Sequence, residues 1–440
     1  MLISFSMENW RSFRDSASFS MVASRERANA NWSARLPPMY GTTKVLPAAA
    51  IYGANASGKT SIPDALSFMQ GLVVRGVSVN QMTGADPFRL DAKHRHKPCK
   101  FTIEVLVDNL IYAYKISLTQ AEILEESLHI KRTKSNQMIF ERDQDTIRFG
   151  KKYDSSRHRL IAQNTRANQL FLHNAVSQNS EAFSPLYNWF KDSLQIIGVD
   201  ATFENHSSML LRSDYQEFLN CKLRRYCTGA QEISLAPVAL DSIVPAQDIV
   251  RDFAGSLMPD DERRLQVRIN GPRGCDIYIV QMGDGGPEAY RVRLGHHTTD
   301  GPMISFDLAD ESKGTQRLIE LLPMFFDLAE DGSKDGPSER VYIVDEIDRS
   351  FHSAMTIDLI HGFLQECSPE SRRQLIFTTH DLMLMSSKLM RRDETWFCEK
   401  DTDGASSLKC LGTHKGVRTD TDLLSSYTKG IYGGYPTFGE

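Results

Sequence analysis

An eight-residue segment near residue 55 combines glycine, lysine and hydroxyl side chains at a spacing that suits phosphate. Residues 53–60 read GANASGKT and fit the pattern G-x-x-x-x-G-K-[ST]. Glycines let the backbone wrap so that successive N–H groups face phosphate oxygens, and the positive end of a following helix adds to this field. Lys59 would reach the β and γ phosphates, and Thr60 would place a hydroxyl on Mg²⁺. The segment therefore predicts ATP and Mg²⁺ as ligands. The residues assigned to this phosphate loop are Gly53, Asn55, Ser57, Gly58, Lys59, Thr60 and Ser61.

Two later segments end in side chains that suit hydrolysis. Residues 341–346 (VYIVDE) are an apolar run that ends in Asp345 and Glu346, and residues 374–380 (QLIFTTH) are another that ends in His380. Asp345 could hold Mg²⁺ through water, Glu346 could orient and deprotonate the attacking water, and His380 could contact the γ-phosphate. Taken singly, an acidic loop after a core strand and a structural histidine are common alternatives. Their order after the phosphate loop favours catalysis, since all three would lie at the carboxyl edge of an open α/β sheet.

A second helix start offers another place for an anion. Ser312, Lys313 and Gly314 open an amphipathic helix, and such an end can bind phosphate oxygens. One chain needs only one loop for one nucleotide, so this end would cap the γ-phosphate held by a partner copy. The alternative is a plain helix cap with Ser312 as the N-cap residue. The position between the phosphate loop and the acidic strand favours the first interpretation, which predicts a homodimer or higher homo-oligomer formed through shared ATP sites.

The elements that position these residues follow from the pattern of apolar side chains. Alternation predicts a strand pair over 1–20 and a small antiparallel sheet over 100–150. The apolar run 46–52 predicts a buried parallel strand, with a helix from about 58 to 74 after it. Residues 158–200, including YNWFKDSLQII, are expected to be mostly helical, strands return over 264–307, and a helix covers 314–330. We therefore expect an α/β P-loop NTPase head with a mixed central sheet, an antiparallel β subdomain and a helical insertion, in segments 1–150, 151–300 and 301–440.

Composition limits the classes of function. The chain has 440 residues, of which 41% are hydrophobic and 24% charged, and a net charge of -5. This balance gives no global attraction to nucleic acid. No run of eighteen apolar residues predicts a transmembrane helix, and the first fifteen residues contain charges that do not suit a secretory signal. The seven cysteines form no CxxC pair, which indicates a reducing compartment. We expect a cytoplasmic protein without a membrane partner.

Seven segments spread over nearly the whole chain resemble one family. They are residues 8–15 (ENWRSFRD), 53–61 (GANASGKTS), 311–318 (ESKGTQRL), 344–352 (VDEIDRSFH), 374–381 (QLIFTTHD), 396–404 (WFCEKDTDG) and 429–436 (KGIYGGYP). On these residues the chain resembles the ABC-type ATPases of the recombination-repair group, and more closely the prokaryotic AAA15/AAA21-type ATPases of abortive-infection and other anti-phage loci. Lys313 and Thr315 depart from the LSGGQ-like signature of the wider group, since they stand where it has its first glycine and its Gln or Glu.

The resemblance implies an ABC-type head that hydrolyses ATP. It places Arg11 and Ser12 against the bound nucleotide, and Ser350 and His352 in a loop between two subunits. Related branches carry a Toprim nuclease after the ATPase, whereas only sixty residues follow His380 in this chain (440 − 380). We therefore expect the effector to be a separate, nuclease-like chain. The other expected partners are a second copy of this chain and a phage-encoded trigger or nucleic acid.

Three functions are consistent with these motifs. The first is a sensor or switch in anti-phage defence that controls a toxic effector. The second is a recombination-repair-like ATPase that acts directly on DNA, although the chain lacks a sustained heptad pattern and has a negative net charge. The third is an unrelated phosphate-loop kinase or GTPase, but no Asn-Lys-x-Asp base reader is present. The basic clusters 93–97 (KHRHK) and 222–225 (KLRR) are candidate nucleic-acid contacts, although such clusters are more often solvated surface.

Overall fold

The computed structural model describes residues 1–26, 29–132, 136–199, 209–258, 263–272, 274–299, 301–329, 339–385, 389–414, 423–432 and 434. The chain divides into two compact units. The first unit comprises Met1–Val199, Asp331–Asp348 and Thr356–Glu440, and the second comprises Asp200–Glu330 and Arg349–Met355. Within the described ranges, no helix has the length and apolar character needed to cross a membrane.

Strands outnumber helices among the described residues. The strands, in chain order, are β1 Leu2–Glu8, β2 Ala17–Ser20, β3 Ala34–Arg35, β4 Lys44–Val45, β5 Ala48–Tyr52, β6 Cys99–Val107, β7 Leu110–Leu118, β8 Ile123–Lys131, β9 Gln137–Asp143, β10 Thr146–Phe149, β11 Leu194–Ile197, β12 Ala230–Val238, β13 Arg264–Asn270, β14 Cys275–Gly283, β15 Gly286–His296, β16 Ile304–Asp307, β17 Arg340–Val344, β18 Arg373–Thr379, β19 Thr395–Lys400 and β20 Ser406–Cys410. The helices are α1 Ser61–Val74, α2 Ser156–Gln163, α3 Phe171–Ser177, α4 Ser184–Asn188, α5 Ser213–Arg225, α6 Gln247–Ser256, α7 Lys313–Ala329, α8 Ser353–Gln365 and α9 Leu423–Thr428.

Two large sheets of the first unit share one apolar core. Among the described residues, an antiparallel sheet runs in the order β10-β9-β8-β7-β6-β1-β2, and a mixed sheet runs in the order β11-β17-β18-β5-β19-β20. In the mixed sheet, neighbouring strands from β11 to β19 are parallel and β20 is antiparallel to β19. Buried side chains from both sheets belong to a single cluster. The expected α/β class, with a mixed central sheet and an antiparallel β subdomain, is confirmed.

The central strand and the helix after it explain how the phosphate loop is fixed. Every side chain of β5 (AAAIY) is buried, as is typical of a parallel strand covered on both faces. Helix α1 buries Ile62, Leu66, Met69 and Val73, whose spacing of three and four residues puts them on one face. Burying each such side chain contributes about 1.5–3 kcal/mol. The residues between β5 and α1 are therefore anchored at both ends.

Two expectations about element boundaries are wrong. Helix α1 begins at Ser61 and not near Gly58, because Gly58 has φ +109°, which lies outside the helical region. Pro63 falls in the first turn of the helix, where a missing N–H loses no intrahelical bond. Residues Leu194–Ile197 were expected to continue a helix but form β11, since Ile196 and Ile197 pair with β17 and β-branched side chains suit a strand.

The second unit combines helices with a sheet. In its described part, the sheet has the order β12-β15-β14-β13, and β16 pairs with β15. A small core of its own includes Ile243, Val250, Val267 and Val280. Helix α7 starts at Lys313 and carries Pro323 in its interior. The linker expected over 331–339 lies almost wholly outside the described residues.

Candidate functional site

The phosphate loop, residues 53–60, connects the carboxyl end of β5 to the N-terminus of α1. Gly58 needs its positive φ, and a Cβ there would overlap the hydroxyl oxygens of Ser12 and Ser406. A Cβ on Gly53 would overlap the carbonyl oxygen of Cys398. Ala56 also has a positive φ of 59°. The loop is thus tightly wound against its surroundings and has no room for side chains at the two glycines.

Lys59 and Ser57 carry the buried polar side chains of the loop. The Lys59 side chain is buried, and its Nζ donates to the carbonyl oxygens of Gly53 at 2.9 Å and Ala54 at 3.0 Å. Burial lowers the pKa of Lys59, although nearby acidic side chains oppose this effect. The buried Ser57 hydroxyl has no hydrogen-bond partner among the described residues. A buried ammonium and a buried hydroxyl in a glycine-lined loop fit a phosphate group, whose oxygens would accept from both.

The acidic pair lies just after β17, beside β18. Asp345 is buried, and its Oδ1 accepts a hydrogen bond of 2.5 Å from the Thr378 hydroxyl. The Glu346 N–H donates to that same Thr378 oxygen at 2.8 Å. Glu346 has φ +51°, an uncommon conformation for a residue with a Cβ, and its side chain is 36% exposed. One carboxylate is therefore fixed and buried while the next faces solvent.

His380 follows β18 at the same edge of the sheet. Its Nε2 lies 4.0 Å from Glu346 Oε1, and its backbone N–H donates to the Asp348 carboxylate at 3.4 Å. Burial lowers the pKa of His380, and the positive charge of Lys59 lowers it further, against the opposing effect of the acidic side chains. The neutral imidazole is therefore favoured near pH 7, where it can donate or accept a hydrogen bond.

The side chains of the adjacent residues Arg11 and Ser12 make different contacts. The Ser12 Oγ is 3.2 Å from Ser61 Oγ, at the first residue of α1 and beside Gly58. The Arg11 guanidinium forms an ion pair with Asp64, and its Nε lies 3.7 Å from Asp86. Of the two, Ser12 is in contact with the loop region, while Arg11 is engaged by carboxylates. Their predicted roles at a nucleotide stay predictions.

The predicted signature residues belong to the second unit. The Ser312 Oγ accepts from the Thr315 N–H at 3.1 Å, which is the hydrogen bond of a helix cap. A Cβ on Gly314 would lie 2.9 Å from the Ser350 carbonyl oxygen, so the signature segment is in close contact with the loop that contains Ser350. His352 Nδ1 accepts from the Ala354 N–H at 3.1 Å at the start of α8. Ser312 and Lys313 are both exposed.

Four residues of the site were not found by sequence reasoning. Thr378 binds the acidic pair, and Asp348 accepts from the His380 N–H. Ser406 Oγ and Cys398 Sγ donate to the Ser57 carbonyl oxygen at 2.5 Å and 3.3 Å. Thr378 could have been suspected because it precedes the histidine on a buried strand. Cys398 and Ser406 depend on the pairing of β19 with β5 and β20, which no local pattern reveals.

A cavity of about 980 Å³ opens beside the phosphate loop. Its lining includes residues 53–57 of the loop, His380, Glu399, Tyr427 and Gly434. The space is large enough for a small-molecule ligand and is bounded by both polar and aromatic groups. The loop and the histidine therefore face a common space.

The phosphate loop follows the central parallel strand β5, and the histidine and the carboxylates follow the next two strands of the sheet, β18 and β17. This arrangement defines a P-loop NTPase head. The chain belongs to the AAA_21 family, described as "AAA domain, putative AbiEii toxin, Type IV TA system", whose model matches residues 48–386. No match was found among curated proteins.

Solved structures that match this chain include "SMC head domain from Thermotoga maritima", with a TM-score of 0.37 and 12% identity, covering 93% of this chain and 98% of that chain. Another is "Crystal structure of the SmcHead bound to the C-winged helix domain of ScpA", with a TM-score of 0.39 and 13% identity, covering 93% of this chain and 97% of that one.

Proposed function

We propose that this protein binds ATP with Mg²⁺ and hydrolyses it. The observation that carries the proposal is the convergence of the phosphate loop, Asp345, Glu346 and His380 at one edge of the mixed sheet. The backbone N–H groups of the loop and Lys59 would bind the phosphates. The Thr60 hydroxyl and Asp345 would hold Mg²⁺, which when bound neutralises charge on the phosphates.

Glu346 is the proposed general base. Its carboxylate is partly open to solvent, so water can reach it, whereas Asp345 is buried and held by Thr378. The hydrogen bond from the Glu346 N–H to Thr378 fixes its backbone. His380 would orient the same water or a phosphate oxygen, because its neutral ring lies 4.0 Å from Glu346. This division of roles between one fixed and one accessible carboxylate suits hydrolysis by an activated water.

We further propose that two copies complete each site. Ser312 and Lys313 are exposed at the start of α7, and backbone N–H groups at such an end can face a γ-phosphate held by another copy. The cap hydrogen bond of Ser312 is compatible with this role, since it engages one N–H, that of Thr315, whereas a helix N-terminus presents several. ATP bound between two copies would stabilise their interface by its greater affinity for the dimer.

The proposed biological role is that of a cytoplasmic sensor or switch in anti-phage defence. The family description, which refers to a toxin and to a toxin–antitoxin system, supports a link to growth control or defence. The resemblance to anti-phage ATPases suggests a separate, nuclease-like effector and a phage-encoded or nucleic-acid trigger. The ATPase subunit of the PARIS defence system is one such protein that this chain could correspond to.

The test of this proposal is the Glu346→Gln variant, with Glu125→Gln as a matched control on an exposed position of the antiparallel sheet. Light-scattering mass should rise with ATP and Mg²⁺ for Glu346→Gln, while its hydrolysis rate falls well below that of the control. Lys59→Ala should bind no ATP and show no change of mass. Hydrolysis by Glu346→Gln at the control rate would refute the assignment of the base. DNA-stimulated hydrolysis at constant mass would favour the DNA-acting alternative.

Ser312→Arg separates the shared site from the plain helix cap. The long cationic side chain should block assembly and leave ATP binding by the single chain intact. Ser256→Arg, at an exposed position at the end of α6, is the matched control. Normal ATP-dependent assembly of Ser312→Arg would support the helix-cap interpretation.

A further inference from the structure

The residues near the C-terminus pack on the strand beside the phosphate loop. We call residues 423–432 together with Gly434 the C-terminal segment. The ring centroids of Tyr427 and Tyr432 lie 5.1 Å and 5.8 Å from that of Phe397 on β19, with interplanar angles of 15° and 12°. Both tyrosines are almost fully buried, and the Tyr427 hydroxyl donates to the Gly434 carbonyl oxygen at 2.7 Å. Offset stacking of this kind adds to the energy of burial alone.

The residue after Phe397 touches the phosphate loop directly. The Cys398 carbonyl lies so close to Gly53 that no Cβ fits there, and its thiol donates to the Ser57 carbonyl at 3.3 Å. Ser406, on the paired strand β20, donates to that same carbonyl at 2.5 Å. Phe397 pairs with Tyr52 in the parallel register. A shift of β19 would therefore move Cys398 and Ser406, the residues that contact the phosphate loop, together.

The C-terminal segment also reaches the space that the loop faces. Tyr427, Gly430 and Gly434 line the same cavity as the loop residues 53–57. Gly430 and Gly434 have positive φ values of 73° and 71°, a backbone conformation that glycine adopts readily. A Cβ on Gly434 would lie 3.5 Å from the Cys398 carbonyl oxygen, so Gly434 packs on the residue that contacts the loop.

We propose that Tyr427 is a positioning residue for ATP binding: through its stacking on Phe397, the C-terminal segment holds β19 and thereby the phosphate loop in the shape that accepts phosphate. This inference rests on the proposed function as an ATP-binding protein. It makes the affinity for ATP depend on a residue far along the chain from the loop.

The experiment compares Tyr427→Ala with Tyr427→Phe and with Tyr40→Ala, a control that removes a half-buried tyrosine bonded to the antiparallel sheet. The readouts are the Kd for a fluorescent ATP analogue with Mg²⁺ and the thermal midpoint without nucleotide. Tyr427→Ala should raise the Kd about tenfold, which corresponds to about 1.4 kcal/mol. Tyr427→Phe should stay close to wild type because the ring is kept. Tyr40→Ala should lower the thermal midpoint and leave the Kd unchanged.

The outcomes separate the two proposals. If wild-type protein binds the analogue and folded Tyr427→Ala binds it equally well, the positioning role is wrong while ATP binding stands. If wild-type protein does not bind the analogue, the proposed function itself fails. Should Tyr427→Ala not fold, Tyr427→Leu keeps apolar volume without the ring, and a wild-type Kd for that variant would overturn the inference. A raised Kd in both Tyr427→Ala and Tyr40→Ala would mean that general destabilisation is the cause, which also overturns it.

Discussion

The Thr378 hydroxyl binds both acidic residues of the site. Its removal should disturb their positions without removing either carboxylate. The hydroxyl donates to the Asp345 carboxylate at 2.5 Å and accepts from the Glu346 N–H at 2.8 Å. Thr378→Val keeps the shape of the side chain and removes both bonds. Leaving a buried polar group unpaired costs about 1–3 kcal/mol, so the two groups together predict a loss of about 2–6 kcal/mol in the free energy of unfolding. The Asp345 carboxylate, which is almost fully buried, should account for most of this loss.

The same change should slow hydrolysis more than it weakens ATP binding. The Asp345 carboxylate loses the hydroxyl that orients it, and Glu346 loses the hydrogen bond that holds its backbone. A displacement of about 1 Å in a catalytic group can reduce a rate about a hundredfold. We expect kcat to fall at least tenfold, with a smaller change in the Kd for ATP.

The assay combines urea unfolding without nucleotide with steady-state hydrolysis at saturating ATP. Thr379→Val is the matched control, because this neighbouring threonine is equally buried and its hydroxyl accepts from the Asp381 N–H, away from the acidic pair. It should lose some stability and keep its kcat. Thr378→Ser should restore both properties. Wild-type stability and kcat in Thr378→Val would refute the reasoning.

Three other measurements test separate parts of the site and core. Gly58→Ala should abolish ATP binding, measured by fluorescence titration, because a methyl would overlap the Ser406 hydroxyl and the residue needs a φ of +109°. Burial and the Lys59 charge lower the pKa of His380, so the free energy of unfolding should fall as the pH drops below about 6.5, and less so in His380→Gln. Burial raises the pKa of Glu394 from 4.5 to about 8, so Glu394→Gln should gain stability in urea unfolding at pH 7, and this gain should disappear as the pH falls to 4.5.

The local sequence was sufficient to predict those elements whose residue pattern has a direct structural cause. The apolar run before Gly53 and the spacing of α1 gave the strand and helix on either side of the phosphate loop. The alternating segments over 100–150 gave an antiparallel sheet, although not its pairing with β1. The carboxylates after β17 and the histidine after β18 could be expected at one edge because the carboxyl ends of parallel strands meet there.

Local sequence was insufficient where long-range pairing decides the conformation. The segment Leu194–Ile197 follows helical turns and becomes a strand only because β17, almost 150 residues later (341 − 194 = 147), pairs with it. The boundary at Ser61 depends on a glycine backbone angle that a regular apolar spacing does not reveal. The contacts of Cys398 and Ser406 with the loop arise from the order of β5, β19 and β20, which is a property of the whole sheet.

The order of strands in the mixed sheet explains why the site has its particular electrostatics. Strand β18 lies between β17, which ends at the acidic pair, and β5, which ends at the phosphate loop. His380 therefore stands between the Lys59 ammonium and the Glu346 carboxylate, and its pKa responds to both charges. A ligand phosphate at Lys59 would offset that positive charge and make protonation of the histidine easier. The pKa of His380 should therefore rise when ATP binds, and NMR titration of its ring with and without ATP in the Glu346→Gln variant would measure the rise.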